Sequence, residues 1–255
     1  MKLPCECGVS AIEPLENPVF IADLHLSWRK IGTARRFFQF LREEAPRFKE
    51  LFILGEHFEF WVGDDSSFIA LPVSRALRRY AEAGHKVYLM QGNRDVLLGE
   101  DFAERSGATL VRSSIAVTAA GHRILIAHGD EWCTLDTDYQ NFRTLSRSEE
   151  FQRKAFSMKL WTRIFWALKA RRTSILHKKK KTQEQMDVVE AVVEECASAL
   201  ECCYVIHGHT HRPAVHSGKQ LTRIVLPSWE IGADRKDSWG WTEVDPARGP
   251  LLILK

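Results

Sequence analysis

The chain has 255 residues, 45% of them hydrophobic, and a formal net charge of only +3. It is long enough to bury a full core, as one large domain or as a domain with an appendage. The near-balanced charge gives no general nucleic-acid signal, and no apolar run reaches the about 20 residues that a membrane span needs. The first 17 residues carry acidic groups and prolines and lack the apolar centre of a signal peptide. They read as a loose lead-in that ends at Pro18.

From there the pattern alternates. Residues 19–22 (VFIA) form a short buried strand, and 33–46 an amphipathic helix built on Phe37, Phe38, Phe40 and Leu41 and closed by Pro46. Strand 51–54 follows. Residues 66–83 are a helical stretch interrupted near Pro72 and ended by Gly84. Strand 87–90 comes next, then strands 114–119 and 123–128 around a turn at Ala120 and Gly121. Further strands are expected at 203–206, 222–226, 239–243 and 251–254. This order predicts an α/β fold, a layered sheet with helices outside.

The segment 138–200 interrupts the strand series and reads as wholly helical. Within 151–181 stand eleven basic residues and no acidic one, although the chain as a whole has 36 basic and 33 acidic residues. Trp161, Phe165 and Trp166 interleave with them. Basic and aromatic groups on one helix suit a membrane surface or an anionic amphiphile. The tetralysine lacks any nucleic-acid-binding motif around it, so no nucleic-acid partner is expected. Six cysteines without an export signal read as reduced thiols, with Cys5 and Cys7 alone at metal-pair spacing. The domain reading is lead-in 1–17, core 18–137, helical insertion 138–200 and core 201–255.

Five segments that close apolar runs are rich in metal-ligand side chains. Asp23 and His25 follow the first strand, Glu56 ends LFILGE, Asn93 lies in VYLMQGNRD, His128 ends ILIAHGD, and His209 and His211 lie in YVIHGHTH. Strand ends are where open α/β folds place their sites. Two carboxylates, one amide and several imidazoles are a donor set for two metals that clamp a phosphoryl group and activate a water. Mixed oxygen and nitrogen donors suit Mn, Fe, Zn or Co. Asp95 and Asp130 are expected to orient the ligands from behind, and His57 to be exposed. His207 and His216 have no assigned role.

D-x-H, G-E, GNRD, HGD and GHTH, in this order, resemble the calcineurin-like metallophosphoesterases. The longer strings FIADLHLS, ILGEHFEFWVGDD, GNRDVLLG, HGDEWCT with DYQNFR, and IHGHTHRPAVH resemble the branch of that family that cleaves UDP-2,3-diacylglucosamine in lipid A biosynthesis. The resemblance runs from Pro18 to about Trp229. It implies a four-layer metallophosphoesterase sandwich, two β-sheets flanked by helices, with a helical lid insertion. It implies a metal-dependent hydrolase with two Mn2+ ions, one held by Asp23, His25 and His211, the other by Asn93, His128 and His209, with Glu56 bridging. Asn93, Arg94 and His209 would be catalytic. Asn93, Arg94, Asp136, Tyr139, Arg171, Ser174, Lys178, Lys181 and His209 would contact the UDP-linked diacylated glucosamine. The products would be UMP and 2,3-diacylglucosamine 1-phosphate, made by a monomer on the cytoplasmic face of the inner membrane. Glu56 stands where the family carries Asp. It either bridges after backbone adjustment or holds one ion alone. Lys178 stands where the family usually carries an amide.

Overall fold

Val19, Phe20, Ile21 and Ala22 are all fully buried, yet they divide by parity. Val19 and Ile21 pack with Phe37, Phe40, Leu77 and Phe102. Phe20 and Ala22 pack with Ile124, Ile126, Ile206 and Ile224. Successive side chains of a strand point to opposite faces, so this strand is covered on both sides. Leu51 and Ile53 part from Phe52 and Leu54 in the same way, and Val87 and Leu89 from Tyr88 and Met90. Continuous apolar runs are what a strand with two buried faces requires.

The computed structural model describes residues 8–9, 12, 14–66, 70–178, 181–232 and 237–255, with 8, 9 and 173–178 described by backbone alone. Its strands are β1 (Gly8–Val9), β2 (Pro18–Ile21), β3 (Glu50–Leu54), β4 (Lys86–Met90), β5 (Thr109–Val111), β6 (Ile115–Ala119), β7 (His122–Ala127), β8 (Tyr204–His207), β9 (Ala214–Ser217), β10 (Thr222–Val225), β11 (Gly240–Asp245) and β12 (Gly249–Leu254). The helices are α1 (Ile31–Glu43), α2 (Ala70–Glu82), α3 (Glu100–Ser106), α4 (Thr137–Arg147), α5 (Glu149–Ser157), α6 (Leu160–Lys178) and α7 (Glu190–Ala199). Among the described residues, one sheet runs β12-β11-β2-β3-β4-β5 and the other β1-β6-β7-β8-β10-β9. Strands β2 to β5 are parallel neighbours, as are β7, β8 and β10.

The layers follow from the buried faces. Helices α1, α2 and α3 cover the outer face of the first sheet. Val193, Cys196 and Ala197 of α7 cover the second against Leu125 and Val205. The expected two sheets between helices are therefore present. Helix α7 falls inside the predicted insertion 138–200, yet it packs on the second sheet.

Some local expectations change. Pro72 sits in the first turn of α2 and does not interrupt it, since that turn needs no donor from its nitrogen. The lead-in is less loose than its composition suggests: Gly8 and Val9 pair with β6, and Leu15 bridges to Ala119. Strands β5 and β9 and helix α3 were not foreseen, because short edge elements carry little periodicity. The turn at Ala120 and Gly121 is present, with φ of 49° and 80°, the sign that a tight hairpin demands. Cys133, Cys202 and Cys203 are free thiols. Cys196 is disulfide-bonded, which corrects the expectation of a reduced thiol there. Cys5 and Cys7 lie outside the described residues.

Candidate metal centre

The ends of the parallel strands converge. Asp23 and His25 follow β2, Glu56 follows β3, Asn93 follows β4, His128 follows β7, and His209 and His211 follow β8. Five of these seven residues have left-handed backbones: Asp23 (φ 53°), His25 (47°), Glu56 (50°), His209 (68°) and His211 (56°). Such angles are uncommon outside glycine, and strain of this kind collects at functional sites, where the surroundings enforce it. Two glycines make the crowding feasible. A Cβ at Gly55 would sit 2.5 Å from His128 Nδ1, and one at Gly208 would sit 2.5 Å from Asp23 Oδ2.

Backbone bonds lace the loops together. Asp23 N donates to Gly55 O at 3.1 Å, His25 N to Glu56 O at 2.9 Å and Gly208 N to His128 O at 3.0 Å. His209 N donates to Asp23 Oδ2 at 2.9 Å.

Two groups of donors result. In the first, His25 Nε2 lies 3.0 Å from Glu56 Oε2 and 3.3 Å from His211 Nε2. His211 Nε2 lies 3.4 Å from Glu56 Oε2 and 3.7 Å from Asp23 Oδ1. In the second, Asn93 Oδ1 lies 2.8 Å from His128 Nε2 and 3.1 Å from His209 Nδ1. His128 Nδ1 is 2.9 Å from Leu54 O, which directs Nε2 at the site. Glu56 divides its oxygens: Oε2 faces His25 and His211, and Oε1 pairs with Arg94 Nε at 2.9 Å.

The electrostatics suit cations. Burial raises the Asp23 carboxyl to about 6, against the pull of His211 and His128. Burial alone would also raise Glu56, but His25 and Arg94 hold it well below the usual carboxylate range. Burial lowers His25 to about 3 against the pull of Glu56, and burial with His128 lowers His209 to about 3. Those two imidazoles are therefore neutral and offer lone pairs, the form a metal requires. Asp23 Oδ1 is buried with no hydrogen-bond partner, a costly state unless a cation takes it up. Asp23, His25, Glu56 and His211 place donor atoms within 4.8 Å of one another. Protein groups alone leave these needs unmet, and a divalent ion meets them.

The other predicted site residues divide. Tyr139 stacks on His209 with ring centroids 6.1 Å apart, and its hydroxyl donates to Asp130 Oδ2 at 2.5 Å. Arg94 and Arg171 both reach Glu59. Asp136 caps α4, accepting from Tyr139 N at 3.2 Å, and pairs with Lys181. The side chains of Ser174 and Lys178 lie outside the described residues. Lys30 and Glu59 were absent from the predicted set, and no sequence pattern marks them.

Asp95 and Asp130 support the loops with no hydrogen bond to the side chain of a predicted metal ligand among the described residues. Asp95 accepts from Gly92 N at 2.6 Å and from His57 N and Nδ1, both at 2.7 Å. His57 is thus buried, which corrects the expectation of an exposed side chain; Asp95 draws it inward. His207 is buried too, edge-on to Trp132 and 3.2 Å from Arg223 Nη1. His216 is exposed on β9. Asp130 accepts from Tyr139, from Arg143 Nε at 3.1 Å and from Arg147 Nη2 at 3.4 Å. Positions 139, 143 and 147 share a helix face, and that spacing of four was the legible signal. Asp130→Ala removes the buried carboxylate that Tyr139, Arg143 and Arg147 share. It is expected to cost about 3 kcal/mol, as breaking a buried pair does, and to lower the melting temperature by roughly 6–12 °C. An unchanged thermal melt would remove this role.

The chain matches the calcineurin-like phosphoesterase family over residues 18–213. It therefore belongs to the calcineurin-like phosphoesterases. It is 40% identical over 238 residues to a UDP-2,3-diacylglucosamine hydrolase of Stenotrophomonas maltophilia (strain R551-3), covering 88% of this chain and 96% of that one. It is 39% identical over 211 residues to the enzyme of that name from Haemophilus ducreyi, covering 82% and 90%. The Cellvibrio japonicus enzyme of that name is 40% identical over 223 residues, covering 84% and 91%.

Proposed function

We propose that this chain hydrolyses the pyrophosphate bond of UDP-2,3-diacylglucosamine, giving UMP and 2,3-diacylglucosamine 1-phosphate. The observation that carries the reading is the pair of donor groups at the strand ends with a cationic, aromatic helix docked beside them. Relatives of that name, about 40% identical over most of their length, support it.

Held by Asp23, His25 and His211 and by Asn93, His128 and His209, with Glu56 shared, two divalent ions would neutralise phosphoryl oxygens and activate a water toward the α-phosphorus. Manganese is our assignment, and the mixed oxygen and nitrogen donors support it. Arg94 offers a planar cation to the phosphate beside Glu56. Asn93 and His209 face the same space and keep the phosphoryl group oriented. Tyr139 backs His209 through its ring and leaves its hydroxyl to Asp130. Asp136 at the cap of α4 and Arg171 and Lys181 of the helical segment bring polar contacts, with Ser174 and Lys178 proposed beside them. The test is UMP release from UDP-2,3-diacylglucosamine by the purified chain, with and without manganese. No release from the folded, metal-loaded chain would overturn the substrate, and release from a soluble nucleotide diphosphate conjugate would replace it.

Within the segment 138–200, the part ahead of α7 serves in this reading as a lid that also meets the membrane. Trp161, Phe165 and Trp166 are 79%, 61% and 52% exposed on α6. Exposed aromatics among basic groups seat a helix at an anionic lipid surface. No described helix is long and apolar enough to cross a membrane. The enzyme would then work as a monomer at the cytoplasmic face of the inner membrane. Replacing all three aromatics with serine is expected to weaken sedimentation with phosphatidylglycerol vesicles by at least about tenfold, given the transfer energy of each ring. Equal sedimentation would remove the membrane role.

A further inference from the structure

Glu59 stands three residues beyond Glu56, and its side chain is 17% exposed. Its Oε2 lies 3.9 Å from His25 Nδ1, too far for a hydrogen bond. That nitrogen is also not the one directed at Glu56 and His211, so Glu59 lies behind the donor group and outside it. Three cations meet on its carboxylate. Lys30, just before α1, lies 3.6 Å from Oε2. Arg94, in the loop after β4, donates Nη1 to Oε1 at 2.9 Å. Arg171, on α6, donates Nη2 to Oε1 and Nη1 to the Glu59 carbonyl, the latter at 3.1 Å.

These cations come from three separate elements and share the Glu59 carboxylate, with Arg94 also paired through Nε to Glu56 Oε1 at 2.9 Å. Burial lowers the Lys30 ammonium, and Arg94 and Arg171 lower it further against the pull of Glu230. Long basic side chains lose much rotamer freedom when fixed. A shared carboxylate fixes all three before an anion arrives.

We propose that Glu59 is a positioning residue that holds Lys30, Arg94 and Arg171 as a preformed cradle for the phosphate departing with the sugar, and that it docks α6 beside the site. The identity of that phosphate rests on the proposed function. That phosphate is already anionic in the bound substrate and stays anionic as the bond to the α-phosphorus breaks, so cations ordered beforehand bind it alike throughout and their loss is read in KM. Lys30 joins Arg94 and Arg171 as a third phosphate contact.

The test is steady-state kinetics on the full, metal-loaded chain. Glu59→Gln and Arg171→Ala are each expected to raise KM about tenfold and leave kcat within about threefold, as loss of a charge-assisted contact does. The double variant should fall well short of the hundredfold or so that independent sites would give. Bound metal should match the unaltered chain. Lys30→Ala, at a half-buried position, should raise KM about threefold and carries the test if Glu59→Gln fails to fold. Additive effects, an unchanged KM in Glu59→Gln or in Lys30→Ala, or metal loss in Glu59→Gln would overturn the proposal; the last would make Glu59 a ligand. If the unaltered chain releases no UMP, the proposed function fails separately. The cradle is then read by calorimetry with inorganic pyrophosphate, where Glu59→Gln should bind about tenfold more weakly. Equal binding would end it.

Discussion

Glu56→Ala is expected to abolish UMP release, and Glu56→Asp to leave it equal or higher. The reason lies in how Glu56 divides its oxygens. One faces His25 and His211 at 3.0 and 3.4 Å, and the other holds Arg94 Nε at 2.9 Å. Alanine leaves the two imidazoles without the carboxylate they face and an ion at the buried Asp23 without its second anionic donor. It also frees Arg94 from its anchor. Both defects act on the same phosphoryl group. The loss should reach on the order of a thousandfold, beyond the roughly 10–100-fold of an outer-shell partner. Metal content should fall with it. Aspartate keeps the carboxylate and tolerates the left-handed backbone at this position (φ 50°) better than most residues. Its shorter arm draws the oxygens back by one methylene, toward the reach of the aspartate the family carries there. Kinetics and metal analysis on the two variants decide the matter. A fully active alanine variant would sink the shared-carboxylate assignment, and a dead aspartate variant would mean that the loops have adapted to the longer arm.

Stripping divalent metal is expected to abolish turnover and to lower thermal stability, more at pH 7.5 than at pH 5. The buried Asp23 carboxyl titrates near 6 in the folded chain and near 3.8 without the fold. A raised folded pKa contributes stability that is full below about 3.8 and is lost as pH rises through about 6. The metal-free chain therefore weakens across that window, as a buried anion forms without a cation. A bound ion supplies the missing charge. At a free metal concentration of about 100 times Kd the stabilisation is about 2.7 kcal/mol, or roughly 5–11 °C in a chain of this size. Scanning calorimetry with and without chelator, at both pH values, reads the effect. Equal melting temperatures at pH 7.5 would argue against metal in this site. An equal difference at both pH values would remove Asp23 as the source of the pH dependence.

Much of the architecture was legible because buried parallel strands leave continuous apolar runs. VFIA, LFIL and VYLM are such runs, and each precedes a short polar motif. The ligand set was legible for a related reason. Side chains that must meet at one edge of a sheet appear in the chain just after each strand, so D-x-H, G-E, GNRD, HGD and GHTH stand out in order. The short elements β5, β9 and α3 were not legible, since three to seven residues carry no usable period.

Other features belonged to tertiary structure alone. The amino-acid sequence could show that His57 follows Glu56, but not that Asp95 draws it inward. It showed Lys30, Glu59, Arg94 and Arg171 as four scattered charges. Only folding brings an α1 flank, two strand-end loops and α6 to one carboxylate, because that meeting depends on contacts between residues up to 112 positions apart. Chemistry carried by a residue's type and its place after a strand is local and can be read along the chain. Charge networks depend on distances through space, and the packing of the two sheets and their helices set those distances.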